Sequence, residues 1–273
     1  MKRAATLTLF SLLFIGLGAC DKNNNISLFS VQDDIALGAQ VAAEIASDPA
    51  NYPLLPEAGN EQAYAYIQAM TDEILNSGEV QYRSEFAWEV HIIEDDVLNA
   101  FCTPGGYIYV YTGLIKYLDN VDDLAGVMGH EIAHADLRHT SRQMQNQYGI
   151  STLLAILLGD NAGTLEQIAA DLAGNVSALQ FSKKFEAESD DKSVLYLSGT
   201  EFACNGAASF FEKLEADGQG TTSGLEEFLS THPSPENRIA DINAEASELG
   251  CSTSLSPDNV NNMTYAEFQA LFQ

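Results

Sequence analysis

The sequence predicts a mainly helical α+β fold on three observations. Apolar residues recur at helical spacing along most of the chain, two short runs are rich in aromatic and β-branched residues, and turn residues fill the stretch between those runs. The first helical pattern covers Val31 to Ser47, with Val31, Ile35, Ala39, Ala42 and Ile45 in step, and the stretch Pro49 to Pro56 ends it. The second covers Glu61 to Leu75 through Tyr64, Ile67, Ala69 and Ile74. The β-like runs are Phe86 to Ile93 and Tyr107 to Tyr111, with Asn99 to Gly106 read as a turn-rich connection. A short helix follows from Leu114 and a long one from about Val121. More helix is expected between Ile150 and Leu197, around Ala207 to Leu214, over Arg238 to Leu249 and at Thr264 to Phe272.

At 273 residues, 46% hydrophobic and only 19% charged, the chain can bury a sizeable core and is neither a disordered acidic tail nor collagen-like. Thirty-nine acidic residues against 12 basic ones leave a formal charge of −27. Phosphate backbones are bound by basic footprints, so no nucleic-acid partner is expected.

Lys2 and Arg3 precede an apolar stretch, Ala4 to Ala19, that is too short for a membrane span and reads as a secretory signal. Its end, Leu17-Gly18-Ala19-Cys20, resembles the bacterial lipoprotein-processing box, which implies cleavage before Cys20 and acylation of that residue. Residues 1–19 are then a signal peptide and 20–30 a lipidated tether. Several acyl chains give stable membrane attachment. An oxidising compartment permits a disulfide, and Cys204 with Cys251 is the preferred pair because both lie in the C-terminal part. Cys102 reads as a small buried thiol. The apolar run Ile150 to Leu158 is too short to cross a bilayer; core packing is expected, with a membrane-leaning hairpin as the alternative.

The sharpest chemical signal is His130-Glu131-Ile132-Ala133-His134. Asn120 can cap this helix, and Asp122 and Asp123 suit its first turn. Residues i and i+4 share a helix face, so His130 and His134 can grip one metal ion, with Glu131 about 100° round and able to reach a water. Two imidazoles and a carboxylate suit zinc. The carboxylate is sought in Phe185-Glu186-Ala187-Glu188-Ser189-Asp190, where Glu186 and Asp190 again share a face: one can ligate while the other orients a ligand histidine. Glu188 is expected on a solvated face. Downstream, His232-Pro233 and Arg238 offer groups for oxyanion charge or a substrate backbone. His139 is expected to cap the helix end or steady the site, and His91 to be structural. Trp88 and the tyrosines at 107, 109 and 111 are read as core before cleft.

Taken in order, these pieces resemble the M48 metallopeptidases, the gluzincin group with Ste24-like and periplasmic lipoprotein protease branches. Asn99-Ala100-Phe101, Pro104 to Val110, Gly113-Leu114, the His130 to His134 motif with Arg138-His139, Glu186 to Asp190, His232-Pro233 and Arg238 carry the resemblance. It implies a zincin-like domain over residues 31–250, with the zinc helix packed beside an edge strand, and leaves 251–273 as a C-terminal extension. It further implies one zinc ion on His130, His134 and Glu186, with Asp190 and Arg238 behind them and Glu131 as general base. Ser189 stands where the family commonly has Ala, and Cys204 is not a typical family position.

The expected function is therefore zinc-dependent endopeptidase action in the cell envelope, facing the periplasm, on misfolded or misassembled envelope proteins. The substrate is expected to add along the strand Tyr107, Ile108, Tyr109, Val110 by backbone hydrogen bonds. The alternative is a metal-binding periplasmic chaperone or assembly factor with latent peptidase activity. His232 has two possible roles: oxyanion donor, favoured because Arg238 suits developing charge, or occupant of the open zinc position at rest.

Overall fold

The computed structural model describes residues 19–20, 26–27, 29–145, 162–175, 179–217, 228–233 and 236–273. The expected leader, most of the expected tether and the apolar run Ile150 to Leu158 lie outside them. A two-residue ladder pairs Ala19–Cys20 with Ile26–Ser27. Helix α1 (Val31–Ser47) opens on a capping box: the Ser30 hydroxyl accepts from the Asp33 amide while the Asp33 carboxylate accepts from the Ser30 amide. Helix α2 spans Glu61–Leu75. Both have the bounds their apolar spacing predicts.

The sheet has three strands, β1 (Glu89–Ile93), β2 (Ala100–Thr103) and β3 (Tyr107–Tyr111). Their order is β1-β3-β2, with β3 parallel to β1 and antiparallel to β2. Two expectations are corrected here. The first strand starts at Glu89, not Phe86, because Trp88 adopts φ 53° and breaks the extended run, its indole donating to the Tyr82 carbonyl. The connection Asn99 to Gly106 contains β2, and only Pro104 to Gly106 turn, with Gly105 and Gly106 at φ 78° and 86°.

Side-chain alternation divides the core between the two faces of the sheet. Ala100, Cys102, Ile108 and Val110 join the larger cluster, whereas Phe101, Tyr109 and Tyr111 face α1 and form the smaller one. Trp88 and the strand tyrosines at 109 and 111 are core, as expected, and His91 stacks on Tyr109.

Helix α3 (Thr112–Tyr117) leads into α4 (Val121–Asp136), where the Asn120 side chain accepts from the Asp123 amide. Every residue of α4 is buried. Its neighbours are β2 and two later helices, α6 (Lys183–Leu197) and α7 (Gly206–Asp217); α5 (Ala162–Ala173) packs on α1 instead. Helices α4 and α7 approach closely at Gly126 and Gly206. A Cβ on the first would strike the Ala207 backbone, and one on the second the Asp122 carbonyl, so only glycine fits either position.

Helix α8 spans Arg238–Leu249 and α9 spans Tyr265–Ala270. Cys204 and Cys251 are joined by a disulfide, the pairing expected. Residues 251–273 dock on the main core: Phe268 stacks on Tyr66 at 4.1 Å, and the Tyr265 hydroxyl donates to the Ile115 carbonyl. At the other end of the chain, Arg138 follows α4 in the left-handed region, at φ 58°. Its guanidinium pairs with buried Asp34 of α1 and donates to the Phe29 and Ser30 carbonyls. Ser141 donates to the same Asp34 at 2.6 Å.

Candidate metal centre

One helical turn of α4 brings the two imidazoles together, with Nε2 of His130 and Nε2 of His134 3.0 Å apart. Ser182 caps α6 by accepting from the Phe185 amide, which puts Glu186 in the first turn facing both rings. Its carboxylate oxygens lie 3.4 Å from His130 Nε2 and 3.4 Å from His134 Nε2. His232 follows the helical residues 228–231 and stacks on Phe228. Its Nδ1 is 3.3 Å from Glu186 Oε1, and its Nε2 is 3.4 Å from the Ala100 carbonyl and 3.6 Å from Glu131 Oε1. Donor atoms of His130, His134, Glu186 and His232 all fall within 4.8 Å of one another, and none of these residues is more than 3% exposed.

Glu131 is fully buried against this cluster, and neither of its carboxylate oxygens has a hydrogen-bond partner among the described residues. An unpaired buried carboxylate is costly, and such groups concentrate where a ligand or substrate completes the site. Three imidazoles and a carboxylate converging on one point fit a single metal ion, and that donor set is consistent with zinc.

The surroundings hold the donors in place. Asp190, one turn beyond Glu186, sits 2.8 Å from His130 Nδ1. Arg238, at the start of α8, grips Asp190 with Nε and Nη2, each at 2.7 Å, and its Nη2 lies 3.1 Å from Glu186 Oε2. The guanidinium lies over the Phe211 ring at 3.8 Å. Burial lifts the carboxyl of Glu131 above its ordinary range, which suits a proton acceptor. Burial opposes ionisation of Glu186 as well, but His232, His130 and His134 together hold its carboxyl well below the usual range. His134, fully buried, is pushed well down and stays neutral.

The profile of peptidase family M48 matches residues 61–246, most of the chain. The chain belongs to peptidase family M48. Similar relatives include the mitochondrial metalloendopeptidase OMA1 of Schizosaccharomyces pombe, 32% identical over 167 residues, which are 58% of this chain and 47% of the relative. The beta-barrel assembly-enhancing protease of Yersinia pestis is 28% identical over 232 residues, 81% of this chain and 45% of the relative. The same-named protein of Escherichia coli K12 is 32% identical over 168 residues, 58% of this chain and 34% of the relative. The chain thus spans less than half the length of these relatives.

In this M48 chain, His130, His134, Glu186 and His232 meet, with Glu131, Asp190 and Arg238 around them. One expectation fails. Tyr107, Ile108, Tyr109 and Val110 belong to β3, the central strand, whose backbone is bonded on both sides and cannot receive a further strand. The edge beside α4 is β2. Because the Asn99 carbonyl accepts from the Tyr111 amide, alternation turns the backbone groups of Ala100 and Cys102 away from β3.

Of the two roles expected of His139 the geometry supports the second, beside the site, and one further correction concerns Glu188. His139 does not end the helix as a cap: its Nδ1 lies 3.0 Å from Nδ1 of His134, and its Nε2 lies 3.1 Å from Glu188 Oε2. Glu188 is held by His139, Arg142 and Lys184, and the His139 hydrogen bond and Arg142 keep its carboxyl near 2 despite partial burial. On α6 it lies about 200° round from Glu186, so helical spacing gives no sign that both serve one site.

Proposed function

We propose that the chain is a zinc endopeptidase of the cell envelope, held at rest with His232 among the metal's donors. The observation that supports this reading is the buried four-donor cluster with the Glu131 carboxylate, which makes no hydrogen bond among the described residues, beside it. His130, His134 and Glu186 would hold the ion permanently. A zinc ion held there would supply a Lewis acid for a peptide carbonyl and for a water made acidic near neutral pH. Glu131 takes the proton of the attacking water and delivers it to the departing amine. Arg238 and Asp190 fix the donors throughout.

The donors are buried, and His232 Nε2 lies 3.4 Å from the Ala100 carbonyl of β2, so in this reading the 228–233 segment moves to admit a polypeptide. That movement withdraws His232 and uncovers the edge of β2, where an extended substrate pairs with the backbone of Ala100 and Cys102. Pairing through the backbone reads shape more than sequence. It suits misfolded or misassembled envelope polypeptides, in keeping with relatives named beta-barrel assembly-enhancing protease. The intact Glu131 favours this over a pure chaperone, which needs no base there.

The test is casein hydrolysis by the purified chain. His232→Ala is expected to raise basal cleavage with zinc content unchanged, and a chelator is expected to abolish it in both proteins. A fall in turnover at unchanged zinc would return His232 to the oxyanion role, which is worth roughly 10²–10³ in rate.

Among the described residues no helix is long and apolar enough to cross a membrane. Attachment is assigned to acylated Cys20 and the tether that follows it, with the catalytic domain facing the periplasm. Cys20→Ser is expected to move the protein from the carbonate-washed membrane fraction to the soluble one. Membrane retention of that variant would shift the anchor elsewhere in the chain.

A further inference from the structure

We propose that His139 and Glu188 form a hydrogen-bonded relay that positions His134 as a zinc ligand and sets how tightly the centre holds its metal. The inference rests on the metal-centre reading above and extends it to two positioning residues outside the donor set.

The geometry dictates where each proton lies. His134 turns Nε2 toward His130 Nε2 and Glu186 Oε1, so its Nδ1 faces the other way and meets His139 Nδ1 at 3.0 Å. A neutral imidazole has one N–H, and a ring that ligates through Nε2 must carry it on Nδ1. His134 therefore donates and His139 accepts. His139 then bears its own proton on Nε2, 3.1 Å from Glu188 Oε2, where a carboxylate can only accept. Each contact has one donor and one acceptor with both rings neutral. The Ser189 hydroxyl lies 3.2 Å from His139 Nδ1.

The far end of the relay is anchored. Arg142 Nη1 lies 3.1 Å from Glu188 Oε2, and Lys184 Nζ lies 3.4 Å from Oε1. The His139 ring is fully buried and stacks on Phe185 at 4.4 Å with 7° between planes, which leaves it one orientation. The two ligand histidines of α4 are thus supported in parallel. His130 is backed directly by Asp190, and His134 is backed by Glu188 through a second imidazole. Outer partners of this kind raise ligand basicity and fix the tautomer, and their loss typically lowers metal affinity 10- to 100-fold.

The test is the zinc dissociation constant of the full chain, by competition with a chromophoric chelator. It is read alongside the absorption spectrum of the cobalt-substituted protein. His139→Ala is expected to weaken zinc about 10- to 100-fold. His139→Asn, whose side-chain oxygen can accept from His134 Nδ1, is expected to recover most of that loss and restore the cobalt spectrum. Glu188→Ala, on the half-exposed side of α6, is expected to weaken zinc without disturbing the core. A merely packing role for His139 predicts no difference between the Ala and Asn variants beyond stability. Unchanged affinity in His139→Ala and Glu188→Ala, with zinc still lost in His134→Ala, overturns the relay alone. Equal zinc binding by the unmodified chain and His134→Ala overturns the metal centre itself.

Discussion

Glu131→Gln is expected to lower peptide cleavage by on the order of 10² to 10⁴ while one zinc ion stays bound. The substitution removes a proton acceptor and keeps the shape, and Glu131 lies beside the four donors without being one of them. Glu186→Ala should behave differently, losing metal and activity together, because it deletes a donor that contacts both histidines of α4. Steady-state cleavage and elemental zinc analysis on the same samples separate the two cases. A Glu131→Gln protein with full turnover would remove the base from the mechanism.

Asp34→Ala is expected to be the most damaging substitution away from the centre. It leaves the Arg138 guanidinium charged, buried and without its carboxylate, and strips the Ser141 hydroxyl of its acceptor. Breaking a buried ion pair from one side costs about 3–5 kcal/mol, a large fraction of a domain's stability. The urea midpoint should fall accordingly. Removing the pair as a whole, with Asp34→Leu and Arg138→Met together, should restore much of the loss. A single Asp34→Ala variant as stable as the unmodified chain would mean that the α1–α4 junction does not depend on the Asp34 carboxylate. The pair matters to the site because Arg138 is the residue before His139 and ties the end of α4 to α1.

Helices α1, α2 and α8 follow directly from apolar spacing, with the Pro49 to Pro56 breaker ending α1, because each packs one face on the core. Strand β2 does not. Its four residues include Ala and Cys, which carry little β preference, and Pro-Gly-Gly follows at once; what makes it a strand is pairing with β3 in a register that local sequence does not encode. The choice of Tyr107 to Tyr111 as the open edge failed for the same reason. A strong β pattern marks a well-buried strand, and here the most β-like run is the central one.

At the site, His130 and His134 are read from spacing within one helix, and Glu186 with Asp190 from spacing within another. His232 was visible as a group with two possible roles, and only the packing of the 228–233 segment puts it among the donors. His139 was visible as a cap or a support for the site, but its partnership with Glu188 joins the segment after α4 to α6, and no spacing along the chain encodes it. Contacts that cross between elements are where sequence reading runs out.

The central claim is that one zinc ion is held by His130, His134, Glu186 and, at rest, His232. X-ray absorption at the zinc edge of the purified chain tests it most directly. The account predicts one zinc per chain with only nitrogen and oxygen neighbours, at about 2.0–2.2 Å, dominated by imidazole scattering that loses one ring in His232→Ala. Sulfur at about 2.3 Å, or a spectrum that His232→Ala leaves unchanged, would contradict it.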